Sequence, residues 1–143
     1  MTAQIVVAET DAEIRASFPV MRELRPRFTD VEIYLAAVRR QMALGYRLTV
    51  RLLAGDEAVA CAGWRFSEML AYGRLLYVDD LVTAERHRSE GHGAALMRWL
   101  EARAQVEGCA VLSLDSGTHR AGAHRFYFRE GLAISSFHFV KPL

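Results

Sequence analysis

The segment from Leu75 to Leu114 constrains the fold more than any other. Leu75-Leu76-Tyr77-Val78 opens an apolar strand that runs to Thr83. From Gly91 to Glu107, apolar residues Ala95, Leu96, Trp99, Leu100 and Val106 fall on one helical arc, with Arg98, Glu101 and Gln105 opposite. Gly108 ends that helix, and Ala110-Val111-Leu112-Ser113-Leu114 reads as a second strand. A strand, a covering helix and a strand in this order form a right-handed parallel crossover. The chain therefore needs an α/β arrangement in which part of the sheet is parallel.

The flanking segments supply the remaining elements. Ile5 to Ala8 is a short strand, and Thr10-Asp11-Ala12-Glu13 has the form of a capping box. The helix it opens is expected to bend or restart at Pro19. A second box, Thr29-Asp30-Val31-Glu32, predicts another helix ending at Gly45. Arg47–Leu52 alternates polar and apolar residues, and Gly55-Asp56-Glu57 turns into an apolar strand over 58–66, an antiparallel hairpin. Arg120–Glu130 reads as a helix stopped by Gly131, and Ile134–Val140 as a last strand. The expected order is β-α-α-β-β-β-α-β-α-β, a mixed sheet with helices on its faces, in one domain over 1–143.

Charge and composition narrow the function classes. The 18 Lys and Arg balance 17 Asp and Glu to a net +1, so no broad field favours nucleic acid or an acidic membrane. No apolar run is long enough to span a bilayer and no signal-peptide pattern opens the chain, so a cytoplasmic location is expected. Cys61 and Cys109 lie in apolar strands and read as small buried hydrophobes. His87, His92, His119, His124 and His138 show no paired spacing on one helix face, which argues against a metal site.

The turn before the long helix, Arg88-Ser89-Glu90-Gly91-His92-Gly93, has the makings of an anion site. Glycines admit close approach to main-chain amides, the helix start offers unpaired N–H groups, and Arg88 adds a charge-assisted contact. Arg-x-x-Gly-x-Gly after an acidic strand resembles the pyrophosphate motif of the GNAT superfamily of acyl-CoA N-acyltransferases. Arg120-Ala121-Gly122-Ala123-His124-Arg125-Phe126-Tyr127-Phe128-Arg129-Glu130-Gly131-Leu132 is similar to that superfamily's second motif. Departures are Ser89 in place of a frequent glycine, Glu90 where Lys or Arg is common, and Arg120 where asparagine is frequent.

The resemblance implies acetyl-CoA as co-substrate, with its pyrophosphate on Arg88, Ser89, Glu90, Gly91, His92, Gly93 and Ala94. Its pantetheine arm is implied to lie along the backbone of Leu81, Val82 and Thr83. Tyr127 matches the family's general acid, placed to return a proton to the coenzyme thiol. Asp79 and Asp80 interrupt an apolar strand, where carboxylates are costly to bury, so a packing role is disfavoured. Tyr77-Val78-Asp79-Asp80-Leu81-Val82 resembles the strand of small-molecule amine acetyltransferases of the superfamily, which implies that Asp79 is the base or amine anchor. Because neighbours on a strand face opposite sides, the other carboxylate is expected to meet a backbone amide or an arginine. Asp115 either lines the same cleft or caps its loop, and Glu68 is a weaker amine-binding candidate. Among the histidines, His119 and His124 lie near the second motif. Arg25, Phe28 and Tyr34 fall where the family builds its acceptor site.

The leading expectation is an N-acetyltransferase acting on a primary amine, a small cation, in a ternary complex. The alternatives are acetylation of a protein N-terminus or lysine, and a non-catalytic acyl-CoA sensor. A homodimer is compatible with the resemblance, and no nucleic-acid partner is expected.

Overall fold

A computed structural model describes residues 2–143. By internal packing the chain divides into two compact units, one running to Ser113 and the other Leu114–Leu143. In order, the elements are β1 (Gln4–Val7), α1 (Asp11–Leu24), α2 (Val31–Met42), β2 (Arg47–Leu52), β3 (Ala58–Met69) and β4 (Gly73–Thr83). A short 3-10 turn at Glu85–His87 then leads to α3 (His92–Val106), β5 (Val111–Leu114) and α4 (Ala121–Arg129). The five strands form one sheet in the order β1-β2-β3-β4-β5, with antiparallel pairs from β1 to β4. This is the mixed α/β architecture anticipated from the crossover.

Local signals explain most of these elements. The Thr10 side chain accepts from the Glu13 amide at 3.2 Å, and the Glu13 carboxylate reaches the Thr10 backbone, completing the capping box of α1. The second helix starts one residue later than its box suggested. Its cap is Asp30, whose carboxylate accepts from both the Glu32 and Ile33 amides at 2.8 and 3.1 Å. Pro19 does not interrupt α1, which runs unbroken from Asp11 to Leu24. A proline inside a helix costs about 3 kcal/mol. Burial of Ile14, Phe18, Val20 and Met21 on that helix offsets it, at roughly 1.5–3 kcal/mol for each large side chain.

The core of the first unit forms where α1 lies against β3, β4 and α2, with Ile14, Tyr34, Leu48, Val50 and Cys61 at its centre. Trp64 is fully buried, and its indole N–H is satisfied by Thr49 Oγ1 at 2.9 Å. On α3 the buried face is Leu96, Met97, Leu100 and Ala104, a slightly rotated version of the expected arc, with Val106 exposed. No helix among the described residues is long and apolar enough to cross a membrane.

The expected final strand is not formed: residues 132–143 adopt neither helix nor strand. Ile134, Phe137, Phe139 and Val140 have strand propensity, but a strand exists only through hydrogen bonds to a neighbour. Nothing in their pattern specifies one.

Two details of the sheet bear on the position of its acidic residues. β3 and β4 pair Gly63 with Asp80 but Trp64 with Val78, so Asp79 is an extra residue, a β-bulge in β4. Opposite it, Gly63 leaves room for Tyr46: a Cβ at position 63 would run into the Tyr46 ring and hydroxyl. Gly63→Ala is therefore expected to destabilise the protein by about 1–3 kcal/mol, the usual cost of overpacking a filled site. Urea unfolding measures this, and an unchanged midpoint would mean that Tyr46 moves aside without penalty.

Candidate active site

The bulge at Asp79 shapes a cleft beside the sheet. Strand alternation predicts that Asp79 and Asp80 face opposite sides. Both instead line one cleft of ≈410 Å³, together with Arg25, Arg27, Phe28, Tyr34 and Tyr46, because the extra residue breaks the alternation. Arg65 clamps Asp79 with two bonds, Nε to Oδ1 at 3.0 Å and Nη2 to Oδ2 at 2.8 Å. Asp80 is held by Arg25 Nε and by the Tyr46 hydroxyl, each at 2.8 Å. Arg25 also donates to the Asp79 carbonyl at 3.0 Å, tying the end of α1 to the bulge.

The tyrosines beside this pair are neutral donors. Burial, followed by the nearby Asp80 charge, pushes the Tyr46 phenol well above its ordinary range. Burial likewise raises Tyr34. Ser17 gives its proton to the Ile14 carbonyl at 2.6 Å, so across the 2.7 Å contact Tyr34 donates to Ser17. Arg25, Phe28 and Tyr34, expected near an acceptor site, line the same cleft as Asp79 and Asp80. Glu68 lies towards the far end of the β3–β4 hairpin, opposite Arg74, and does not line the cleft. Sequence reasoning missed Arg27, Tyr46 and Arg65. A glycine inside an apolar strand, Gly63, was the available sign that another group packs closely there.

Leu81, Val82 and Thr83 come directly after the bulge, paired on one side with Ala62, Cys61 and Ala60 of β3. On the other side β5 enters beside the start of β4, where the Ala110 N–H donates to the Arg74 carbonyl at 2.8 Å. With four residues against the eleven of β4, it cannot accompany that strand to its end. The main chain of 81–83 therefore has no β5 partner, which suits an extended ligand arm.

The turn into α3 is shaped for an anion. Ser89 and Gly91 both have positive φ, 64° and 88°, and Gly91 is the N-cap. The first α3 main-chain bond is donated by Ala95 to Gly91, and no side chain caps the helix. The amides of His92, Gly93 and Ala94 are thus left for a ligand. Ser89 stands in the left-handed conformation that explains why a glycine is frequent there in the resemblance. Arg88 forms no ion pair among the described residues, whereas Glu90 turns towards His87 Nδ1 and His92 Nε2, each at 3.3 Å. Glu90 and then Glu57 raise the His87 pKa, against a lowering by burial. Ligand atoms of His87, Glu90 and His92 lie within 4.8 Å of one another, a grouping that residue spacing did not indicate. Arg51 Nε donates to His92 Nδ1 at 2.9 Å, which places the proton of a neutral His92 ring on Nε2, the atom facing Glu90.

In the second unit, α4 carries Tyr127. Burial raises its phenol above the ordinary value, partly offset by the Arg120 charge, so the hydroxyl keeps its proton at neutral pH. Arg120, the N-cap residue of α4, therefore acts on Tyr127, a role the sequence did not assign. Asp115 lies 3.4 Å from His138 Nδ1, and His124 Nε2 bonds the Gly117 carbonyl at 2.8 Å. His119 packs against Gly117.

Comparison with known proteins identifies the family of the chain. The acetyltransferase (GNAT) family matches residues 12–132. An uncharacterised N-acetyltransferase of Bacillus subtilis, YhdJ, is 33% identical over 128 residues, covering 89% of each chain. The aminoalkylphosphonate N-acetyltransferase of Salmonella typhimurium is 36% identical over 66 residues, 46% of this chain and 43% of that protein. Among solved structures, AAC(6')-Iy in complex with a CoA bisubstrate analogue superposes with a TM-score of 0.84 at 11% identity, over 100% of this chain and 99% of that one. With a family match across most of its length and a 33% identical relative covering 89% of each chain, the chain belongs to the GNAT family of acyl-CoA-dependent acetyltransferases.

Proposed function

We propose that the protein transfers an acetyl group from acetyl-CoA directly to a small primary amine, which enters the cleft as a cation beside Asp79. The observation that carries this reading is the bulge, which turns two carboxylates into one cleft immediately before the strand edge 81–83. A volume of ≈410 Å³ suits a small molecule. The Salmonella relative, named for a small aminoalkylphosphonate, also favours a small acceptor over a protein one.

In this reading the coenzyme pyrophosphate rests on the amides of His92, Gly93 and Ala94, with Arg88 as counter-charge, and the pantetheine arm runs along Leu81, Val82 and Thr83. An alkylammonium has a pKa of about 10 and no lone pair for attack, so it must first lose a proton. Each Asp79 oxygen bonds Arg65 but keeps a second lone pair, sufficient to accept from the ammonium directly or through one water. Attack on the thioester forms the C–N bond and breaks the C–S bond, and main-chain N–H groups near Leu81 can stabilise the oxyanion. Tyr127 gives its proton to the leaving sulfur; the second proton of the attacking nitrogen, lost as the amide forms, restores the phenol, and Asp79 releases the first to solvent. The chemistry requires no metal, and His87, Glu90 and His92 act instead by fixing the turn.

Acetyl-CoA should raise the melting temperature of the protein, and calorimetry that finds no binding to folded protein would end this reading. Tyr127→Phe keeps the ring and should lower kcat by roughly 10²-fold with little change in coenzyme affinity. Asp79→Asn should lower kcat/KM for amines by about ten- to a thousandfold, with partial rescue at higher pH where free amine appears. The coenzyme-induced thermal shift should survive in the Asp79→Asn variant, which separates lost chemistry from lost folding. If Asp80→Asn shows the rescue and Asp79→Asn does not, the proton is taken by the other carboxylate.

A further inference from the structure

The charges around the acceptor cleft do not cancel. Asp79 has its own guanidinium in Arg65, and Asp80 has Arg25 as well as the Tyr46 hydroxyl. Arg27 also lines the cleft but forms no ion pair with any carboxylate among the described residues. Three guanidinium groups (Arg25, Arg27, Arg65) therefore meet two carboxylates (Asp79, Asp80), an excess of one positive charge. Two of the tyrosines at the cleft, Tyr34 and Tyr46, do not offset it, because burial raises their phenols and keeps them neutral.

The excess cation is also oriented. Pro26 separates Arg25 from Arg27 and bars the residue before it from helical geometry, so α1 ends with Arg25 at φ −118° and ψ 70°. Both arginines on either side of that proline reach the cleft. The Arg27 guanidinium lies 4.4 Å over the Phe28 ring, and Phe28 packs edge-on against buried Tyr34 at 5.8 Å. A guanidinium stacked on an aromatic face keeps its N–H edge available for a planar, two-point contact with an anion. The cleft thus combines carboxylate oxygens with spare lone pairs and a stacked guanidinium with unused donors.

We propose that the acceptor is a zwitterion, an amine that also carries an anionic group, with its ammonium at the Asp79–Asp80 pair and its anion on Arg27. This rests on the amine-acetyltransferase reading and narrows it. A substrate with only a positive charge meets an excess of the same sign, whereas an amine bearing a carboxylate, sulfonate or phosphonate answers both halves of the cleft. Arg27 is then a specificity-determining residue that touches the substrate away from the reacting nitrogen.

The test measures acetyl-CoA-dependent thiol release with β-alanine, taurine and aminoethylphosphonate, set against the neutral-tailed β-alaninamide and propylamine. At least one anion-bearing amine should exceed the neutral-tailed pair in kcat/KM by about tenfold or more, the range expected for a charge-assisted contact. The three anions separate carboxylate, sulfonate and phosphonate as the source of that charge. Arg27→Gln should abolish the preference, mainly by raising KM for the anion-bearing amines, while the acetyl-CoA thermal shift is unchanged. Arg27→Lys should restore part of it. If the neutral-tailed amines are acetylated as efficiently as the charged ones, or if Arg27→Gln lowers turnover of all of them equally, the zwitterion proposal is overturned and the amine reading stands. If no amine releases thiol from a protein that binds acetyl-CoA, both are overturned.

Discussion

A single extra residue in β4 organises the cleft that Asp79 and Asp80 line. By setting Asp79 out of register with β3, the bulge brings two adjacent carboxylates to one cleft and redirects the strand just where β5 stops accompanying it. Two carboxylates in that position would repel each other and carry a desolvation cost if left alone. They are stable because Arg65, Arg25 and Tyr46 reach them from β3, from the end of α1 and from the start of β2. The same contacts therefore hold the helices to the sheet and define the chemistry of the cleft.

Tyr46 shows how closely packing and function are joined. Its ring occupies the space that Gly63 leaves empty, its hydroxyl ends on Asp80, and its burial keeps the phenol protonated. Side-chain size at position 63 thus sets the position of a carboxylate on the neighbouring strand. The turn before α3 leans less on its surroundings, its side-chain ties being the imidazoles that Glu90 gathers and the bond from Arg51 to His92.

Much of the framework was legible in the residues because it is written locally. Thr10 and Glu13 specify the start of α1, the alternation in Arg47–Leu52 specifies β2, and the apolar arc before Gly108 specifies α3. The turn from Arg88 to Gly93 was legible for the same reason, since its geometry comes from consecutive backbone angles. The bulge was not, because nothing in Tyr77-Val78-Asp79-Asp80-Leu81 marks an extra residue, and regular alternation sent the two carboxylates apart. Arg65, Tyr46 and Arg27 lie far from them in sequence and meet them only through sheet register and the exit of α1 at Pro26. The unbroken helix through Pro19 and the missing strand at Ile134–Val140 share one cause. Each depends on partners elsewhere in the chain, which outweigh or fail to support the local preference.

The turn before α3 is built from main-chain groups, with Ser89 and Gly91 supplying backbone angles and Arg88 adding its charge. The cleft of Asp79 and Asp80 is built almost wholly from side chains. Amides are the same whatever residue bears them, so a site made of them tolerates sequence drift as long as its conformation persists. A site made of side chains changes its meaning with every exchange of an arginine or an aspartate. In the reading proposed above, a scaffold divided in this way can be handed from one acceptor to another over evolutionary time without ever giving up its acyl donor.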